Sequence, residues 1–187
     1  MFRKPNASKV CYAIFVNASR KKCSITDEKL QQKWIRDINF HRVGTLVDVK
    51  RATNSVYLIY LHYRIITRTI TTDKYLHALQ LADSNTCTFC KSAVETISHL
   101  FWECPVTQTF IQNIDRQLHS HYQLHFQHNI QSWFFPLETD ELQTFLITLT
   151  KFVIHKARNI GEKPELQHLL NLLKVCTCKT RTIFLQN

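Results

Sequence analysis

Glycine is nearly missing: Gly44 and Gly161 are the only two among 187 residues, where average usage of about 7% would supply roughly thirteen. Phosphate loops and dinucleotide fingerprints need clustered glycines, for tight turns and for close backbone approach to the ligand. Two isolated glycines exclude most nucleotide-cofactor enzymes. No apolar run reaches the roughly 18–20 residues needed to cross a bilayer, which leaves no membrane role to expect. Paired carboxylates are also scarce, appearing only as Asp27-Glu28 and Asp140-Glu141. Two-metal phosphoryl chemistry needs carboxylates that clamp two cations about 4 Å apart. Both pairs read better as helix starts, so the chain is expected not to be an enzyme and to have no small-molecule substrate. Cysteine is present but in an odd number, seven, a poor disulfide framework that points to a reducing compartment, nuclear or cytoplasmic.

What the chain does hold is positive charge, +10 overall from 24 basic and 14 acidic side chains. Residues 1–74 carry fifteen basic and five acidic groups, 75–145 two basic and seven acidic, and 146–187 seven basic and two acidic. Clustered Lys and Arg favour polyphosphate partners, although ordinary solvated faces carry such excesses too. Arg3, Lys4 and Lys9 before the short apolar stretch Val10–Val16 imitate a secretory signal, but an amphipathic helix from Ser8 to about Ser19 fits better. Further helices are expected from Thr26 through Trp34 to Ile38, from about Thr53 to Thr69 after a break at Gly44, and from Thr72-Asp73 through Leu81. Leu142, Phe145, Leu146 and Leu149 recur at the spacing of a core-facing helix, and Leu166, Leu169, Leu170 and Leu173 repeat it, with Pro164 suited to that helix's first turn.

The chemistry lies between Cys87 and Cys104, where the spacing is C-x2-C-x8-H-x4-C: Cys87, Cys90, His99 and Cys104. Two cysteines three apart can grip one metal from a tight turn, and a helix starting near Glu95 would present His99, with Cys104 following at its end. Three thiolates and one imidazole make a closed tetrahedral Zn2+ site, with no open position for water. One structural zinc is therefore expected, its binding supplying folding energy. The fold expected is mostly α, a helical domain with a small Cys3His zinc knuckle inserted between helices. Residues 1–80 form a basic helical region, 81–110 the knuckle, and 111–187 a C-terminal helical region that can pack with 1–80 as one domain.

This block resembles the zinc-binding region of LINE-type (non-LTR) retrotransposon reverse transcriptases, downstream of the polymerase. Cys87-Thr-Phe-Cys90, Glu95-Thr-Ile, His99-Leu-Phe-Trp102-Glu-Cys104 and Pro105 match the family pattern. The likeness extends outwards through Lys33-Trp34-Ile-Arg-Asp37, through Tyr63-Arg64 to Thr72-Asp73-Lys74-Tyr75-Leu76, through Leu149-Thr-Lys151 to Lys156-Ala-Arg158, and into the closing helix from Pro164 onward. Phe110 stands where the family commonly has Trp. No Tyr-x-Asp-Asp polymerase motif and nothing resembling an endonuclease is present. The resemblance therefore implies a C-terminal accessory segment standing apart from the polymerase. In the family this segment is taken to hold RNA or an RNA/DNA hybrid near a reverse transcriptase polymerase chain.

On that reading Phe89, between the paired cysteines, is a candidate for base stacking, or else packs against the zinc turn. Lys91 can meet phosphate. Arg64 and Arg68, four apart on one expected helical face, join Lys50, Arg51 and Lys74, with Lys151, Lys156 and Arg158 extending the basic surface. Two other clusters read as decoys. His119, His121, His125 and His128 lack a completing carboxylate or cysteine, and Cys176-Thr-Cys178 is too closely spaced for one ordinary zinc site. The expected function is nucleic-acid binding, RNA above all, by a zinc-organised segment. The alternative is a protein-interaction scaffold, or a retrotransposon remnant whose zinc only holds helices together.

Overall fold

The computed structural model describes residues 32–34, 46–123, 126, 129–136 and 140–179. The chain divides into two compact units, Met1–Val43 and Gly44–Asn187. In the first, residues 32–34 are helical, with Trp34 buried. The expected helix over 8–19, the signal-like start and the Gly44 break lie outside the described residues.

The second unit is built from helices. These are α1 (Leu46–Ala52), α2 (Val56–Ile66), α3 (Asp73–Ala78), α4 (Pro105–Tyr122), α5 (Ile130–Phe134), α6 (Glu141–Ile160) and α7 (Leu166–Lys179). A π-helical turn at His99–Glu103 precedes α4. No strand longer than the single antiparallel bridge Thr86–Val94 occurs among the described residues. The fold is mostly helical, and the Cys3His segment is inserted between α3 and α4.

Helix α6 organises the unit, packing on α1, α2 and α7. Asp140 caps its start, its carboxylate accepting from Gln143 N–H at 2.6 Å. Gly161 ends it at φ 75, a left-handed conformation in which glycine escapes the Cβ clash. The Gly161 and Glu162 N–H groups then donate back to the Arg158 and Ala157 carbonyls. Leu146, Ile147, Thr148, Leu149, Thr150 and Lys151 are consecutive and all buried, so α6 is covered around its circumference rather than along one stripe. The Thr148 and Thr150 hydroxyls are satisfied by the Thr144 and Leu146 carbonyls. Pro164 stands two residues before α7 rather than inside its first turn.

Helix α2 is shorter than its apolar run suggests. The Thr67 hydroxyl donates back to the Tyr63 carbonyl at 2.7 Å, and Thr67 caps the helix. Arg68 follows at φ 56, in the left-handed region. The expected pairing of Arg64 and Arg68 on one continuous helical face is thereby corrected, because the helix has already ended at Ile66.

Candidate metal centre

The sequence from Asn85 to Glu95 folds back on itself. Cys87 N–H donates to the Ala93 carbonyl at 2.7 Å and Glu95 N–H to the Asn85 carbonyl at 2.8 Å, on either side of the Thr86–Val94 bridge. Lys91 N–H closes the turn on the Cys87 carbonyl at 3.0 Å, with Lys91 itself at φ 56. The other two donors come from the π-helical turn, where Cys104 N–H reaches the His99 carbonyl at 2.8 Å. Pro105 explains why that turn stops. A residue before proline is driven out of the helical region, and Cys104 sits extended at φ −62, ψ 127. Pro105 then occupies the first position of α4, where its missing N–H costs nothing. The Thr107 hydroxyl caps the Leu100 carbonyl at 2.8 Å, tying the π turn to the next helix.

These two pieces bring the donor atoms of Cys87, Cys90, His99 and Cys104 within 4.8 Å of one another. The Cys87 and Cys104 sulfurs are 3.8 Å apart. A tetrahedral zinc with Zn–S of about 2.3 Å would hold its sulfurs about 3.8 Å apart, whereas a disulfide would bring them to about 2.05 Å. Cys90 Sγ and His99 Nε2 stand 3.3 Å apart, slightly inside the roughly 3.5 Å edge that the same geometry gives. The cluster can hold a metal ion, and its donor set is the one a structural zinc uses.

The electrostatics agree. Burial pushes the Cys87 thiol up to about 12, and the neighbouring Cys104 adds to the rise, against N–H donation from Cys90 and Phe89. Burial acts the same way on Cys90, but hydrogen bonds from the Ser92 hydroxyl and N–H, His99 and the Ala93 N–H outweigh it and bring that thiol down to about 6. Two buried sulfurs this close resist carrying two negative charges unless a cation lies between them. Backbone N–H groups aimed at sulfur are what a bound thiolate needs around it.

What seats the centre on the helices is a buried ionic network. Glu95 is 0% exposed. Its Oε1 accepts from Asp73 N–H at 2.9 Å and from Arg158 Nε at 3.0 Å, and its Oε2 from Thr88 N–H at 2.9 Å. Arg158 also binds Asp73, which accepts from the Thr88 hydroxyl at 3.1 Å. Burial raises the Glu95 carboxyl, but the Thr88 and Asp73 N–H groups and the Arg158 guanidinium outweigh it and hold it below the ordinary carboxylate range. The knuckle, the first turn of α3 and the last turn of α6 thus meet at one carboxylate.

Residues 51–110 match the family described as zinc-binding in reverse transcriptase. The match holds all four donors, Glu95 and Asp73, and ends within α4. That family is the accessory zinc-binding part of reverse transcriptases rather than their catalytic part. No curated protein and no solved structure matches the chain.

Around the knuckle the expected nucleic-acid residues differ in exposure. Lys50 and Arg51 are exposed at the end of α1, Lys74 on α3, Lys91 on the cysteine turn and Lys156 on α6. Arg64 is half-buried on α2 and Arg68 half-buried beyond it. Three assignments are corrected. Phe89 is 6% exposed, so its ring is a packing element of the turn and not a stacking surface. Lys151 is fully buried, its ammonium donating to the Trp133 carbonyl at 2.8 Å and facing His62 Nδ1 at 3.3 Å. Arg158 is committed to Glu95 and Asp73. Sequence reasoning missed the network. Its one visible signal was an acidic residue between the cysteine pair and the histidine.

Of the decoys, His119 and His121 are exposed in the last turn of α4, while His125 and His128 lie outside the described residues. Cys176 and Cys178 fall on α7. No helix among the described residues is long and apolar enough to cross a membrane.

Proposed function

We propose that the chain is a zinc-dependent, RNA-binding accessory segment of the kind attached to LINE-type retrotransposon reverse transcriptases. It acts in the nucleus or cytoplasm on RNA or an RNA/DNA hybrid, beside a polymerase chain. Zinc, held by Cys87, Cys90, His99 and Cys104, is structural, because four protein donors leave no position for a reacting water. The carrying observation is the Cys3His cluster, its four donor atoms within 4.8 Å of one another, inside the segment that matches the reverse transcriptase family. Five exposed basic side chains, Lys50, Arg51, Lys74, Lys91 and Lys156, supply the phosphate contacts.

The test is a fluorescence anisotropy titration of the zinc-loaded chain with labelled single-stranded RNA at 50 and 200 mM salt. Five phosphate contacts give a log–log salt slope of about −3.5, so affinity falls about 100-fold across that range. Cys87→Ser/Cys104→Ser abolishes both zinc content and binding. A folded, zinc-containing chain whose RNA binding is absent or indifferent to salt overturns the proposal in favour of a protein-interaction scaffold.

A further inference from the structure

With Phe89 buried, the base-stacking surface must lie elsewhere if the chain binds RNA, and α2 presents an aromatic face. Tyr57 is 73% and Tyr60 43% exposed, on a helix that buries Leu58, Ile59, Leu61, His62, Ile65 and Ile66 on its other side. Tyr57, Tyr60 and Arg64 fall at i, i+3 and i+7, which places them on one side of the helix. The Arg64 guanidinium lies over the Tyr60 ring, 5.8 Å from its centroid, and donates to the Thr69 carbonyl at 3.0 Å, so it is held as a cation–π partner of that ring. Helix α2 contains no acidic residue. Lys50 and Arg51 end the preceding helix a few residues before Tyr57 and are exposed.

We infer that Tyr57 and Tyr60 form a stacking platform for single-stranded RNA, with Lys50 and Arg51 on the adjoining phosphates. Arg64 is a sixth contact beyond the five counted above, which brings the wild-type salt slope to about −4.2. The inference rests on the RNA-binding reading above and deepens it. The choice of RNA over a protein partner comes from charge. An exposed tyrosine suits either, but tyrosines flanked by basic side chains on a helix without carboxylates complement a polyanion. The axial rise between Tyr57 and Tyr60 is about 4.5 Å, enough for successive bases to lie against successive rings once the strand is partly unstacked. Stacking on tyrosine is tolerant of sequence because every base offers a π face.

The test compares wild type, Tyr57→Ala/Tyr60→Ala, Tyr57→Phe/Tyr60→Phe and Arg64→Gln in the same anisotropy assay. A poly-uridine and a mixed-sequence RNA serve as probes, with helicity and zinc content checked for each variant. The double alanine variant loses at least about tenfold in affinity for both RNAs while its salt slope stays at the wild-type value, since no phosphate contact is removed. The phenylalanine variant retains wild-type affinity. Arg64→Gln weakens binding and makes the slope shallower by about 0.7. If wild type binds RNA and the alanine variant binds equally well, the platform is refuted while RNA binding stands. If wild type fails to bind, both readings fall. A change in self-association of the alanine variant by sedimentation, without loss of RNA affinity, refutes the platform in favour of a protein contact.

Discussion

Replacing Arg158 with methionine separates a structural arginine from a nucleic-acid contact. In the native chain the Arg158 side chain is 11% exposed and contacts two carboxylates, Glu95 at 0% and Asp73 at 25% exposure. Methionine fills much of the same volume but leaves the Glu95 carboxylate with two backbone N–H donors and no cation. Removing one partner of a buried pair costs about 3–5 kcal/mol. The partial exposure of Asp73 argues for the lower end, about 3 kcal/mol. For a chain of this size that corresponds to a fall in Tm of about 6–12 °C, read by far-UV circular dichroism on the zinc-loaded protein. Adding Glu95→Gln to Arg158→Met removes the stranded charge, so the double variant is less destabilised than the single effects sum to, by about 1 kcal/mol or more. The acid limb moves as well. Glu95 is held below its ordinary range, so it contributes stability that is present above about pH 4.5 and lost as pH falls through the folded value. Without Arg158 the folded value rises toward the unfolded one, so the acid-dependent loss from Glu95 shrinks. An Arg158→Met chain with unchanged Tm and strongly weakened RNA binding would refute this reasoning and return Arg158 to the surface.

Lys151→Met provides a second pH signature. Burial lowers the Lys151 ammonium from 10.5 to about 7, so the unfolded chain binds more protons between those values and stability rises with pH there. Urea melts at pH 7 and 9 should show the rise in wild type, less of it in Lys151→Met, and no change in the variant's RNA affinity; equal slopes would exclude a lowered lysine. Lys91→Gly relieves a left-handed residue at φ 56 and should stabilise the zinc-loaded chain by about 1 kcal/mol in urea melts, at the loss of one phosphate contact in the salt slope; a destabilised variant would contradict the turn geometry. Chelation with excess EDTA should lower Tm and release one zinc per chain by atomic emission. If Tm stays unchanged, metal does not supply folding energy.

The four donors could be read directly because their chemistry is local. All lie within 18 residues, and the turn that joins Cys87 to Cys90 is dictated by spacing. Pro105, adjacent to Cys104, also carried its structural message in sequence, as start of α4 and stop of the turn before it. The network on Glu95 could not be read, since Arg158 is 63 residues away from it and 85 from Asp73. Only the packing of α6 against the rest of the unit brings them together. Lys151 was legible in principle: with the buried Ile147 and Ile154 it falls at i, i+4 and i+7 in the stretch of α6 that is covered all round. A basic residue at such a position reads as surface until a partner appears, here the Trp133 carbonyl. Phe89 misleads for a related reason. The tight turn that presents two sulfurs to one point also folds the intervening ring inward. Arg68 was misplaced because its backbone turns left-handed at φ 56 just after α2, a local conformation that periodicity does not encode.

The central claim is a closed Cys3His zinc site, and zinc K-edge X-ray absorption on the metal-loaded chain tests it most directly. The geometry predicts three sulfur scatterers at about 2.3 Å and one nitrogen at about 2.0–2.1 Å, with no oxygen shell. A first shell containing oxygen, or fewer than three sulfurs, would contradict the account.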